Sequence, residues 1–146
     1  MEQQQKLTLL EREYFHLQTL VENFDAKSLT IKAWSVSLAI AVLSSGAFSN
    51  TINVLVYAAM ASFLFWLIEA YWKTFQNANY KRIRDIENYL NGSADDIDCF
   101  QIGTSWSNEY NQLGRKQFYT ALFWPHVVLP HGIMCIGFSI CYLYLM

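Results

Sequence analysis

Apolar positions along this chain fall into two patterns. Near the N-terminus Leu7, Leu10, Tyr14, Leu17, Val21 and Phe24 recur at steps of three and four among Gln, Glu, Arg, Thr and Asn. Such a stripe predicts a long helix with one apolar face, packed within the chain or against another copy as a coiled coil. A second stripe, Trp72, Phe75, Asn79, Ile83, Ile86 and Leu90, keeps nearly the same spacing, and Gly92 stands just past its end as a stop signal. Elsewhere the alternation gives way to runs without charge, from Ala33 through Ile68 and from Gln117 through Met146. Each run exceeds the ~20 residues that cross a bilayer core.

The first run has 36 residues. As one straight helix it would measure about 54 Å against a core of ~30 Å. It is therefore expected to fold as two spans, near residues 32 to 48 and 52 to 72, joined by a tight turn within SSGAFSNTIN, residues 44 to 53. Lys32 and Lys73 stand at the ends of these spans, where snorkelling would help them fit. The second run predicts a third span within residues 118 to 146. The expected fold is an all-α membrane protein with three transmembrane helices and a long cytoplasmic antiparallel stem. The stem comprises an amphipathic helix over residues 1 to 31 and a helix with a polar loop over residues 73 to 117.

Composition agrees with this pattern: 53% of residues are hydrophobic and 15% charged, against roughly 25% charged in soluble domains. All ten basic residues lie before the first span or between the second and third. Positively charged loops stay cytoplasmic. The N-terminus and the 73 to 117 segment should thus face the cytoplasm, and Met146 the opposite surface. The opening MEQQQKLTLLEREYF lacks the basic start and apolar core of a signal peptide. Cys99 would be reduced in the cytoplasm while Cys135 and Cys141 lie in the third span, so no disulfide framework is expected.

Candidate chemistry is sparse. Ser37, Ala41 and Ser45 recur every fourth residue in the first span, as Ala58 and Ser62 do in the second, a spacing that lets helices approach closely in lipid. In the third span His131, Cys135, Ser139 and Tyr142 share one helical face. Ser37, Ser45 and this face form either an interhelical hydrogen-bonding seam or a water-lined pathway. Pro125, His126 and Pro130 form an elbow, with Pro125 separating an interfacial piece, QFYTALFW, from the span. Lys81, Arg82 and Arg84 are expected to touch lipid headgroups and fix topology. Glu69 is placed to pair with Lys73 at i,i+4, and Ser93 or Asp95 to cap a short helix. No zinc or calcium pattern, cofactor motif or nucleic-acid signature stands out, and the serines in the spans have no base in evident reach. An enzyme is not expected.

The stretch NFDAKSLTIKAWSVSLAIAVLSSG followed by FLFWLIEAYWKTFQNANYKRIRDIE resembles the two-span hairpins of small bacterial membrane proteins of the SLATT class, over about residues 12 to 90. The resemblance implies a defence effector of the bacterial inner membrane, directed against phage, that assembles as a homo-oligomer and damages the membrane or opens a pore on a trigger. The chain departs from that pattern by its third span and by lacking an obvious sensor domain, so a trigger would come from a partner. The alternative is a non-conducting anchor or scaffold that docks a cytoplasmic protein through its stem.

Overall fold

The computed structural model describes residues 3–49, 52–94 and 96–146, with the side chains of 47–49 excepted. Helix α1 runs unbroken over Gln3–Ser49 and α2 over Val54–Asn77. Between them the chain reverses within a few residues. A Cβ on Gly46 would come within 2.8 Å of the Val54 side chain, so the close approach beside the turn requires glycine there. After a break at Ala78 and Asn79, α3 continues over Tyr80–Leu90. It stops in a Schellman motif: Gly92 takes φ 77°, its N–H donates to Tyr89, and Ser93 N–H donates to Asn88. That is the stop expected at Gly92. Ser93 caps no helix, because α4 begins only at Ile102, and Asp95 lies outside the described residues.

The stem is built largely as its two stripes require, with Leu90 at the end of the second left exposed. Leu10, Leu17 and Val21 of α1 pack with Ile83 and Ile86 of α3 in one buried cluster, with Tyr14 against it. Phe24 packs on Trp72 with ring centroids 4.9 Å apart, and Leu7 is half-buried. The helices are antiparallel, since Tyr14 meets Glu87 at one end and Phe24 meets Trp72 at the other. Of the two expected uses of the stripe, packing within the chain is the one observed.

Two helices, α1 and the run from α2 into α3, are long and apolar enough to cross a membrane. In their most apolar stretches only 11% and 22% of residues are buried. The last apolar run is not one span. Residues 117 to 122, read as a separate interfacial piece, are the end of α4, Ile102–Leu122. A one-turn helix α5, Pro125–Val128, follows, and α6 covers His131–Leu145. With 15 residues, α6 measures about 22 Å, short of a full crossing. Helix α4 runs back along α2, from Trp106 beside Phe75 to Leu122, whose carbonyl accepts from Trp66 Nε1 at 2.9 Å. Helix α6 then continues along the apolar half of α2. Pro125 occupies the first turn of α5 and Pro130 the position before α6, so both sit where a missing N–H costs nothing.

Candidate functional site

Where α1, α2 and α6 meet, the helices bury an ionic cluster. Glu69 of α2 is fully buried. Its Oε1 accepts from Ser28 Oγ at 2.6 Å and from Lys32 Nζ, both on α1. Its Oε2 lies 2.8 Å from Nε2 of His131, also fully buried, at the start of α6. The other ring nitrogen, Nδ1, lies 2.8 Å from Ser35 Oγ on α1. With Nε2–H donating to the carboxylate, a neutral imidazole leaves Nδ1 to accept from the Ser35 hydroxyl. Phe65, one turn before Glu69, lies nearly parallel to the imidazole, 14° between planes.

The local sequence explains each placement. Ser28, Lys32, Ser35 and Ala39 are spaced four, three and four apart, so they share the side of α1 that faces α2. A buried carboxylate is costly unless paired and hydrogen-bonded. Glu69 is both, through partners from α1 and α6. Deleting one partner would leave a charge uncompensated, which makes the cluster a clasp between three helices.

Lys73, assigned to Glu69 by helical spacing, is committed elsewhere. It donates to Asp25 at 2.6 Å and to Gln76 Oε1 at 2.9 Å. Neither Lys32 nor Lys73 snorkels. Both point into the helix interface because an antiparallel hairpin brings an acid from the opposite helix to each. Burial pushes the Asp25 carboxyl up, but the hydrogen bonds from Lys73 and Gln76 outweigh it and hold the group below its ordinary range.

The expected polar stripe divides. His131 enters the cluster, but Ser37 and Ser45 are exposed on α1, Ser37 two positions from Ser35 and Ala39 on the face that packs. Cys135, Ser139 and Tyr142 line a shallow apolar groove with Val56, Ala59, Met60 and Phe63, and Ser139 Oγ donates back to the Cys135 carbonyl. Ala58 and Ser62, by contrast, are buried as small residues at a close helix approach.

Nor do Lys81, Arg82 and Arg84 act as one basic patch. Arg82 is buried and grips Glu13 with two bonds, Nε to Oε1 at 2.8 Å and a terminal nitrogen to Oε2 at 3.1 Å. The same terminal nitrogen donates to the Asp98 carbonyl at 2.6 Å, and Phe100 N–H donates to Glu13 Oε2 at 2.9 Å. Lys81 pairs with Asp85 on its own helix at the surface, and Arg84 is exposed. Arg82 therefore ties the loop after α3 to the stem.

Ser35, His131 and Glu69 are connected as hydroxyl, imidazole and carboxylate, so a base does lie within reach of a serine. The arrangement does not suit nucleophilic catalysis. Ser35 is 2% exposed in the middle of α1, where neighbouring backbone N–H groups serve the helix and cannot form an oxyanion hole. What the cluster can do is hold helices together and exchange a proton, since an ammonium can release one and a neutral imidazole can take one up.

No family model matches this chain, and neither a curated protein nor a solved structure matches it.

Proposed function

We propose that this protein is a non-enzymatic membrane effector that perturbs or permeabilises its bilayer on a trigger, with the Lys32, Glu69 and His131 cluster as the latch of its resting arrangement. One observation carries the reading: a fully buried acid bonded to partners on two other helices, two of which can change protonation. Trp34, Ile40, Tyr57, Met60, Ile133, Ile136 and Ile140 all face outward, and so wide an apolar surface supports a bilayer as the surroundings. The distribution of lysine and arginine supports a cytoplasmic stem. The resemblance to the SLATT class supports a bacterial inner-membrane defence role and assembly of several copies, which any pathway would need.

The test is dye release from liposomes carrying the purified full chain. The native protein should keep the dye, and Glu69→Gln, which keeps shape but removes the charge, should release it. Retention by both proteins, at equal insertion, sinks the latch.

A scaffold remains the second reading, because Leu20, Phe24, Trp72, Phe75, Ile102 and Trp106 line an apolar groove of about 370 Å³ on the stem. Such a groove suits an apolar anchor side chain of a cytoplasmic protein. If Phe24→Ser abolishes biological activity while leaving helix content and dye release unchanged, the scaffold reading takes precedence.

A further inference from the structure

Beside the buried cluster lies a cleft of about 620 Å³. Its walls include Asp25, Ser28 and Lys32 of α1, Lys73 and Gln76 of α2, Tyr80 of α3 and His126 of α5. Lysine carries three donors. Lys73 spends two on Asp25 and Gln76, and Lys32 spends two on Glu69 and Ser28, so each ammonium retains one. Among the described residues, the Tyr80 hydroxyl and the ring nitrogens of His126 have no hydrogen-bond partner. Four donor groups from four helices thus line one space with capacity unspent.

The Asp25 carboxylate lies on the same wall, bound through Oδ1 to Lys73, and the donors that remain outnumber the acceptor capacity it leaves, which favours an anion. The formal charges refine the choice. Lys32 and Lys73 are already balanced by Glu69 and Asp25, so the cleft offers hydrogen bonds rather than a large positive field. That suits a single negative charge spread over two oxygens better than a dianion. Leu29 and Trp124 lie on the same rim and offer apolar surface beside the polar donors. We propose that this cleft is a binding site for a monoanionic phosphodiester, the chemistry of a phospholipid headgroup, with Lys32, Lys73, Tyr80 and His126 as its donors. The site itself stands on these donors, and only the lipid as source of the phosphodiester rests on the membrane reading. Burial, followed by the charges of Lys73 and Lys32, holds the His126 imidazole below its ordinary range, and a bound anion opposes the second effect.

The experiment is native mass spectrometry of the full chain in mild detergent, titrated with phosphatidylglycerol, diacylglycerol, or glycerophosphoglycerol, the same headgroup without acyl chains. One phosphatidylglycerol should bind in preference to diacylglycerol. The variant Tyr80→Phe with His126→Gln should bind it about tenfold more weakly, as expected for the loss of two modest hydrogen bonds. On the native chain, phosphatidylglycerol should also slow acylation of Lys32 and Lys73 relative to exposed Lys27, whether or not the variant folds. Displacement of the lipid by equimolar glycerophosphoglycerol supports the site with a soluble phosphodiester as its source. Persistence of the lipid supports the headgroup. Binding of diacylglycerol as tight as that of phosphatidylglycerol, or unchanged acylation of both lysines, overturns the site.

Discussion

Among the described residues Glu13, Glu69 and Glu109 are buried, and the first two, which pair with basic side chains, are held differently. In the stem Glu13 meets Arg82, and its two oxygens take the guanidinium fork plus one backbone N–H. At the junction of α1, α2 and α6, Glu69 meets a lysine, a histidine and a serine. A guanidinium keeps its proton and matches a carboxylate in plane, so the first pair is a permanent clamp. An ammonium can give up a proton and a neutral imidazole can take one up, and an open cleft reaches Lys32. Similar burial therefore yields a fixed joint in one region and, on the function proposed above, a releasable one in the other.

The sharpest way to break the comparison is at the clamp. Arg82→Leu strands Glu13 in the stem and should cost about 3–5 kcal/mol; chemical unfolding followed by circular dichroism measures it. A loss below about 1 kcal/mol, the level of an exposed pair, would show that the clamp carries little. The apolar cluster beside it provides a reference: Leu17→Ala in the same assay should cost about 3 kcal/mol through cavity formation. At the other joint Glu69→Gln keeps the shape and some hydrogen bonding, so its cost should be lower, about 1–3 kcal/mol, with dye release as the larger effect. An equal loss at both joints would erase the distinction between clamp and latch.

How much of this could be read from the chain differs between the same regions. The stem was legible because Leu10, Leu17, Val21, Ile83 and Ile86 repeat at helical spacing, and periodicity reports a buried face directly. The hairpin was legible because charge stops at Lys32 and resumes at Glu69 with small and polar residues midway. The latch was not. Helical spacing joins Glu69 to Lys73 on one helix, whereas the contacts come from a second helix and a third. A signal was present: with the turn midway, Lys32 stands opposite Glu69 and Asp25 opposite Lys73. His131 was singled out as a polar residue in an apolar run, but its partner Ser35 lies two positions from the serine stripe chosen by four-residue spacing. That stripe was compatible with either face, and only packing selects between them. Pro125 marks where an interfacial piece ends and the last span begins, but composition does not show that this piece is the end of α4 or that the helix after Pro130 has only 15 residues.

The smallest expected effect concerns Asp25, next to the latch yet half exposed. Its carboxyl is held below the ordinary value of 3.8 in the folded chain. A lowered value means that its contribution is present above the unfolded value and is lost as pH falls through the folded one. Stability should therefore decline slightly more on acidification for the native chain than for Asp25→Asn, as thermal unfolding at stepped pH would record. Parallel pH profiles would remove Lys73 and Asp25 from the account of the joint.

The most direct measurement is membrane potential, read with a voltage-sensitive dye in bacteria expressing the native chain or Glu69→Gln at matched membrane levels. The account predicts that native cells stay polarised without a trigger and that Glu69→Gln cells depolarise. Equal potentials, with the variant inserted and helical, would contradict the claim that this cluster is a latch.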